Sequence, residues 1–495
     1  MKAGLLPTFQ KLVRGGASGT LVSTIPPSTS PAWPSMATGL NPGKMGVYSV
    51  VEHSRKKFHM APVSSSVYRG ESAWDYLSER GYQVALLKIP FLYPVYEING
   101  CMVSGFGSAS KFAAYPSYLG KKLVKGPSSF LEDRAFGLLK SLETDNEKKC
   151  TEYIDLLKTI VRKESKTVLE LTRSLNADFF FYVVSPTDWL QHAFMDKILN
   201  LTAKLSSGNL NKLETIDKAL IGFYRSIDSV VKELFEFIES YHDFIFLIVS
   251  DHGFTLRPYT FNLAKWLIRE RYMKLNSLYL SNRRTLISRL LENKHILGNM
   301  FTRIMDRVLK LLPALENLRK KYRGTTISES VDFSRSKAFC LEDKGIYINP
   351  SETNVQEIAK QLVSGLQRYF NQFPDLALEV LSRDSIYWGK KVSLAPNLRI
   401  AVSDKEDVWE ISIDPAKPMI FKPSLPGIHD RNGIILAYGP SIRNLAIGKV
   451  MIWDVCPTIL YIFGIPKFPK LDGKILKQIF KKRFARADLG KANEI

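Results

Sequence analysis

Short apolar runs alternate with longer amphipathic segments along most of the chain. The apolar runs are TLVSTI at 20–25, VALLKIP at 84–90, FFFYVVS at 179–185, FIFLIVS at 244–250 and GIILAYG at 433–439. Runs that are apolar throughout are typical of central strands buried on both faces. The segments between them carry apolar residues at helical spacing and charges on the opposite face. The pattern predicts an α/β fold with a mostly parallel central sheet and helices on both faces.

The character of the chain changes between residues 258 and 330, where the sequence is basic and has helical spacing, most clearly at 282–324. We predict an inserted helical cap at 258–330 that separates the first part of the core, 1–257, from the second part, 331–495. The charge of this cap can guide an anionic substrate or bind a membrane surface or nucleic acid, but a charged helical face is also commonly only solvated.

The composition indicates a globular protein with a strong positive charge. Hydrophobic residues make up 45% and charged residues 24%, and 69 Lys+Arg against 48 Asp+Glu give a net charge of +21. This charge raises the local concentration of anionic ligands such as phosphate esters, nucleic acid or acidic lipid head groups without selecting one. No nucleic-acid-binding motif accompanies it. No apolar run reaches the roughly 18 residues of a membrane-spanning helix.

The cysteines predict a reducing compartment. Cys101, Cys150, Cys340 and Cys456 are far apart and have no paired spacing, which favours reduced thiols over a disulfide framework or a zinc ribbon. The N-terminal stretch 1–19 is interpreted as an amphipathic helix of the fold, since it lacks a sustained apolar region and a cleavage site. We therefore expect a cytoplasmic protein.

Acidic and imidazole side chains follow two of the apolar runs. Asp188 and His192 come four residues apart just after 179–185, a spacing that places both on one face of a helical turn. Asp251 and His252 directly follow the next apolar run. Ligands in open α/β sheets collect beyond the carboxyl ends of the strands, so these pairs are expected to converge.

Two further residues complete the candidate site. His429, in LPGIHDRNG, immediately precedes the last apolar run. Thr29 and Ser30 precede Pro31, which suits the first turn of a helix, so both hydroxyls are expected at a helix cap where free amides favour anions. An ordinary cap explains Thr29 equally well when it is considered alone. Aspartate, histidine and hydroxyl oxygen together are ligands for a divalent ion of the zinc or manganese type.

The chain resembles the alkaline phosphatase superfamily, and more closely its type I phosphodiesterase and nucleotide pyrophosphatase branch with archaeal and bacterial members. The motifs that carry the resemblance are STIPPSTSPAWPSMATGLNPGKMGVY, PFLYPVYEINGCMVSGF, SPTDWLQH, IVSDHGF, GIHDRNGIILAYGP and WDVCPTILYIFGIPKFPKLDGKIL. They extend from the first part of the chain to its last part. The resemblance implies an alkaline phosphatase-like α/β fold and a metal-dependent hydrolase of small anionic phosphate esters.

The resemblance also implies a role for each candidate residue. Thr29 corresponds to the nucleophile, which forms a covalent phospho-threonine and also ligates one metal ion. A bound cation would stabilise its alkoxide. Diesters are the expected substrates, and no substrate-binding residue is assigned.

Two divalent ions, zinc or alternatively manganese, are implied as cofactors. Asp188, His192 and His429 correspond to the ligands of the first ion, and Asp251 with His252 to those of the second. Two ions about 3.5–4 Å apart can hold the attacking and leaving oxygens of an in-line displacement.

The chain departs from the family pattern at three places. The second metal site of the family takes another aspartate from a first strand resembling D-G-x-D, and the sequence MKAGLLPTFQKL corresponds to the helix after that strand. Either this site is incomplete or the true start lies upstream, and we favour the second reading because loss of a central strand exposes its neighbours. Ala32 replaces an asparagine of nucleotide pyrophosphatases, and Met45 replaces a common histidine.

Other readings remain open at this level. A phosphomonoesterase or phosphomutase of the same superfamily would use the same metal ions, whereas a sulfatase would not have SPAW after the nucleophile. A non-catalytic metal-binding descendant is the alternative from a different class. A nucleic-acid-binding module rests on charge alone, and the oligomeric state is not predicted.

Overall fold

The computed structural model describes residues 4–49, 51–54, 59–107, 113–124, 129–139, 141–208, 210–276, 327–341, 344–373, 378–402, 410–465 and 471–481. The most basic part of the proposed cap, 282–324, lies outside the described residues. The division into 1–257, 258–330 and 331–495 therefore stays a prediction.

Helices account for the longer amphipathic segments. They are α1 (Pro7–Gly15), α2 (Thr29–Thr38), α3 (Pro42–Met45), α4 (Ala73–Glu79), α5 (Ser117–Val124), α6 (Ser129–Leu139), α7 (Glu147–Leu175), α8 (Pro186–Ser206), α9 (Thr215–Glu239), α10 (Leu263–Arg269), α11 (Ile327–Ser330), α12 (Val355–Phe370), α13 (Arg383–Ile386) and α14 (Val455–Ile462). The amphipathic helix predicted near the N-terminus is present as α1.

Strands occur at all five apolar runs and at further short segments. They are β1 (Ala17–Val22), β2 (Val51–Ser54), β3 (His59–Pro62), β4 (Val84–Ile89), β5 (Gly100–Ser104), β6 (Ala114–Tyr115), β7 (Phe179–Tyr182), β8 (Phe246–Val249), β9 (Gly253–Leu256), β10 (Thr260–Asn262), β11 (Ala338–Cys340), β12 (Ile346–Ile348), β13 (Leu378–Ser382), β14 (Leu398–Val402), β15 (Glu410–Ser412), β16 (Ile420–Phe421), β17 (Gly427–Asp430), β18 (Asn432–Tyr438) and β19 (Leu445–Met451). The first run is shifted, since β1 begins three residues earlier than TLVSTI.

The central strands form two four-stranded sheets, ordered β6-β5-β4-β7 and β19-β1-β18-β8. The predicted parallel pairing holds for β4 with β5 and β7, and for β1 with β19. It does not hold for GIILAYG, because β18 runs antiparallel to both β1 and β8. A purely local pattern cannot distinguish these directions, since a strand buried on both faces is apolar in either one.

The main hydrophobic core lies between these sheets and helices α2, α4 and α14. Trp33, Met36, Trp74 and Leu86 are buried in it, and Leu460 of α14 joins them. Burial of one such side chain contributes about 1.5–3 kcal/mol. The core thereby fixes α2, and with it Thr29, against the carboxyl ends of the strands.

A second hydrophobic cluster is built by later parts of the chain. The strands β11-β12-β14-β13 form an antiparallel sheet, and β15-β10-β16 form a smaller one. Phe261, Trp266, Phe339 and Leu362 are buried together in this cluster. It contains residues from both sides of the segment 277–326, and it packs separately from the main core.

All four cysteines are buried and free. Burial without a disulfide partner agrees with the prediction of reduced thiols. The cytoplasmic location stays a prediction. None of the described helices is both long and apolar enough to cross a bilayer.

Candidate functional site

Helix α8 brings Asp188 and His192 to the carboxyl end of β7. Pro186 occupies the first helical position, where its lack of an N–H costs nothing. Asp188 lies in the first turn, where the helix dipole favours a negative charge. His192 follows one turn later, as the spacing predicts.

A sharp passage from β8 into β9 carries Asp251 and His252. A side chain at Gly253 would place its Cβ 2.2 Å from the carbonyl oxygen of Asn432, so only glycine fits. The His252 ring is buried. Strand β9 then pairs antiparallel with β17, and this ladder sets His429 opposite Phe254.

Close packing of β17 on α8 completes the site. A Cβ on Gly427 would lie 2.1 Å from the carbonyl oxygen of Gln191 and 3.0 Å from the Cα of His192. The absence of a side chain at residue 427 therefore lets the strand that carries His429 approach the helix that carries His192.

The predicted metal ligands converge although they are far apart in sequence. Asp188 Oδ1 lies 3.3 Å from His429 Nε2, 3.7 Å from His192 Nε2 and 3.8 Å from His252 Nε2. Asp251 Oδ2 is 3.4 Å from His252 Nε2. The rings of His252 and His429 stack with their centroids 3.6 Å apart. The ligand atoms of Asp188, His252 and His429 all lie within 4.8 Å of one another.

The two ligand groups that the resemblance implied lie side by side, and their division between two ions stays a prediction. The resemblance implied that His252 binds a second ion with Asp251. Its Nε2 faces both Asp251 and the carboxylate of Asp188, which is the expected ligand of the first ion. The five residues form one cluster with Asp188 at its centre. Asp251 is at the edge of this cluster, next to His252.

The backbone fixes the orientation of all three imidazoles. The Nδ1 atoms of His192, His252 and His429 lie 3.2, 3.1 and 2.9 Å from the carbonyl oxygens of residues 427, 253 and 27, respectively. A carbonyl oxygen can only accept, so each Nδ1 carries the proton and donates it. In the neutral rings the three Nε2 atoms then keep free lone pairs. Metal-binding histidines are commonly held in this way.

The residues present fit a bound cation. His192 Nε2 and His429 Nε2 are 2.9 Å apart, so two lone pairs face each other when both rings are neutral. Asp188 Oδ1 is inaccessible to solvent and accepts no hydrogen bond. A positive charge between these atoms relieves the repulsion and satisfies the carboxylate. Nitrogen and carboxylate donors are those that zinc takes in proteins.

Burial and charge shift the acidities within the cluster. Burial acts to raise the pKa of Asp188, but the close approach of His429 and the positive charge that the three nearby imidazoles carry when protonated outweigh it and hold the pKa well below its usual range. Burial raises the pKa of Asp251, and the charge of Asp188 raises it further. Burial lowers the pKa of His252, which keeps this ring neutral and able to act as a ligand.

Thr29 lies at the start of α2, beside the cluster. The helix begins at Thr29 and its N-cap is Ser28, so the expectation that Thr29 and Ser30 form the cap is wrong by one residue. Ser28 makes no side-chain cap hydrogen bond, and the first-turn amides have no partner within the helix. The contact of His429 with the Pro27 carbonyl ties the loop before Thr29 to the cluster.

One cavity of about 1640 Å³ connects these groups. The candidate residues that line it are Ser28, Thr29, Asp188, His192, Asp251, His252 and His429. Thr29 thus opens onto the same space as the carboxylate and imidazole cluster.

Sequence reasoning missed a charged cluster beside the site. Arg257, at the end of β9, donates to the carbonyl of Leu425 and pairs with Glu410, which also accepts from Lys344. Burial acts to raise the pKa of Glu410, but Lys344 and Arg257 outweigh it, with a smaller effect of His192, and lower this pKa. The position of Arg257 just after DHGF is the only sequence signal for it; its partners come from distant segments.

The sequence profile of the family described as type I phosphodiesterase/nucleotide pyrophosphatase matches residues 1–337. The chain belongs to this family, and it is a hydrolase that acts on phosphoric ester bonds. Family members generally use divalent metal ions and act on small phosphate esters.

Two solved structures are similar to the chain over most of their length. They are murine ectonucleotide pyrophosphatase/phosphodiesterase 5, with 12% identity, a TM-score of 0.49 and 97% coverage of both chains, and its human counterpart, with 13% identity, a TM-score of 0.47 and coverage of 97% of this chain and 96% of the other. No curated protein sequence matches the chain.

Proposed function

We propose that the protein is a metal-dependent phosphodiesterase that uses Thr29 as its nucleophile. The observation that carries this proposal is the convergence of Asp188, His192, His252 and His429 with every Nδ1 proton donated to a backbone carbonyl. This arrangement leaves three Nε2 lone pairs and a carboxylate oxygen directed at one point. Thr29 lines the same cavity.

Asp188, His192 and His429 would hold one divalent ion, and zinc or manganese suits these donors. Asp251 is available for a second ion together with His252, as the resemblance implies. A cation bound here supplies a Lewis acid that lowers the pKa of a neighbouring alcohol or water. Two ions remain the proposed cofactors.

Thr29 and the backbone amides of α2 take part directly in the chemical steps. The Thr29 hydroxyl loses its proton and Oγ1 forms a bond to phosphorus, while the bond from phosphorus to the leaving oxygen breaks and that oxygen takes up a proton to leave as an alcohol. Water then cleaves the phospho-threonine ester, which releases the phosphate product and restores the hydroxyl. The amides in the first turn of α2 bind the non-bridging oxygens, where negative charge increases in the transition state.

Steady-state kinetics with aryl phosphate diesters and monoesters test the proposal. Each substrate is assayed after chelation and after addition of zinc or manganese. Faster turnover of the diester, only with metal, supports the proposed activity. Faster turnover of the monoester identifies a phosphomonoesterase instead, and no turnover of either with any ion supports the non-catalytic alternative.

The variant Thr29→Ala tests the nucleophile. We expect kcat/KM to fall by at least about 10³-fold with bound metal largely retained, since loss of a nucleophile removes the covalent route. Thr29→Ser should recover part of the rate because it restores the hydroxyl. Thr159→Ala, at an exposed position of α7, is the matched control. A Thr29→Ala protein as active as the parent refutes the assignment.

A further inference from the structure

Strand β17, which carries His429, forms a short ladder. Among the described residues it pairs with β9 alone, from Gly427 to Asp430. A two-stranded ladder is marginally stable by itself. Gly427, where the strand approaches α8, has no side chain to interlock with the helix. The position of β17 against α8 therefore depends on contacts beyond this ladder.

Arg257 supplies such contacts at the end of the ladder where β17 begins. Its backbone amide donates to the carbonyl of Pro426 at 2.8 Å, so the pairing continues one residue beyond β9. Its Nε and Nη2 atoms both donate to the carbonyl of Leu425, at 3.2 and 2.6 Å. One residue thus holds the two carbonyls that directly precede Gly427.

Glu410 and Lys344 keep the guanidinium in this place. Nη1 of Arg257 pairs with Glu410, which also pairs with Lys344. Glu410 begins β15, and the next residue, Ile411, is buried in the second hydrophobic cluster. The Arg257 side chain is only 10% exposed, so solvent screens this pair weakly. A planar guanidinium with acceptors on two sides keeps one orientation.

The contacts of Arg257 reach the imidazoles through residue 427. Gly427 directly follows the two held carbonyls, and its own carbonyl accepts the Nδ1 proton of His192. His429 lies two residues further along the same strand. This short segment therefore bears on both of the rings whose Nε2 atoms lie 2.9 Å apart.

We propose that Arg257 is a positioning residue of the metal site. Through Leu425 and Gly427 it holds the rings of His192 and His429 in the arrangement that binds a cation. Residues that act on a metal ligand from outside commonly change metal affinity by about 10–100-fold. The inference rests on the proposed metal binding and is independent of the identity of the nucleophile.

Zinc affinity in variants of Arg257 tests the assignment. We expect Arg257→Ala to lower the affinity, measured by equilibrium dialysis, at least about tenfold. Glu410 keeps Lys344 as its partner in this variant, so its carboxylate is not left without a cation. Arg257→Lys keeps the charge but lacks the planar fork, and it should recover part of the affinity. Arg225→Ala, at an exposed position of α9, is the matched control.

Nitrogen NMR of the metal-free protein separates positioning from general loss of structure. At about pH 8, where free imidazole is neutral, it reports which ring nitrogen carries the proton. The parent should have Nδ1 protonated in both His192 and His252. In Arg257→Ala we expect a mixture of tautomers at His192 alone. His252 should be unchanged, because its acceptor is the carbonyl of Gly253 in its own turn.

Zinc affinity in Arg257→Ala equal to that of the parent overturns the proposal. A change of tautomer that affects His192 and His252 alike also overturns it, since this indicates general loss of structure. A parent protein that binds no zinc refutes the proposed metal site instead. The metal-free rings then decide the positioning role: a mixture at His192 alone in Arg257→Ala supports it, and unchanged rings overturn it.

Discussion

The Nε2 atoms of His192 and His429 lie 2.9 Å apart, although the Nδ1 proton of each ring is already donated to a backbone carbonyl. Two neutral rings held in this way repel each other through their lone pairs. A site that is fixed by the backbone in an unfavourable arrangement for free imidazoles is suited to a shared cation.

The central carboxylate should determine metal affinity. We expect Asp188→Asn to lower the affinity for zinc by about 100-fold or more. Loss of a residue that only hydrogen-bonds to a metal ligand already lowers metal affinity by about 10–100-fold. Equilibrium dialysis with metal analysis measures this. Asp196→Asn, on the same helix and exposed, is the control. Unchanged affinity in Asp188→Asn excludes this residue as a ligand.

The close approach of β17 to α8 should be essential for activity. Gly427→Ala places a Cβ 2.1 Å from the Gln191 carbonyl oxygen, so the strand with His429 must move away from the helix with His192. We expect kcat/KM to fall at least about 10-fold, since small displacements of reacting groups have large effects.

Gly137→Ala is the control for that substitution, because a Cβ there meets no atom within 4 Å. Equal kcat/KM in both variants and the parent would contradict the requirement for close packing at residue 427. Circular dichroism and Tm measurements separate a local displacement from general loss of structure.

A buried glutamate should make stability depend on pH. Burial, only partly offset by Lys88, raises the pKa of Glu164 to about 8. The protonated Glu164 side chain therefore stabilises the fold fully below its unfolded pKa of about 4.5. This contribution is lost as the pH rises through its folded pKa of about 8. We expect Tm to fall between pH 6 and pH 9, and less so in Glu164→Gln, which is neutral throughout.

Glu170→Gln, at an exposed position of the same helix, should keep the pH dependence of the parent protein. Differential scanning calorimetry at several pH values measures these curves. Parallel curves for Glu164→Gln and the parent would refute a raised pKa at Glu164.

The anchor of α1 should contribute measurably to stability. Asp228→Ala removes the acceptor for the amides of Thr8 and Phe9 at 3.2 and 3.0 Å. Because Asp228 is buried and accepts at a helix N-terminus, we expect a loss of about 1–3 kcal/mol in the free energy of unfolding. Urea denaturation measures it, with exposed Ser229→Ala as the control. A loss as small as that of the control would mean that α1 is held by apolar contacts alone.

The positions of the elements and their local chemistry follow from local sequence patterns. The five apolar runs became strands, and the spacing of Asp188 and His192 placed both on one helix, because burial on two faces and helical periodicity are local properties. The motifs also identified the family, and the same motifs supplied the candidate residues at the ends of the strands.

The way in which these elements combine depends on long-range packing. It set β18 antiparallel to its neighbours, grouped His252 with Asp188 and His429, and supplied the carbonyls that orient the imidazoles. It also joined Arg257 to Glu410 across a long stretch of sequence. Each of these depends on contacts between distant segments, which packing of the whole core selects and which no local pattern of residues encodes.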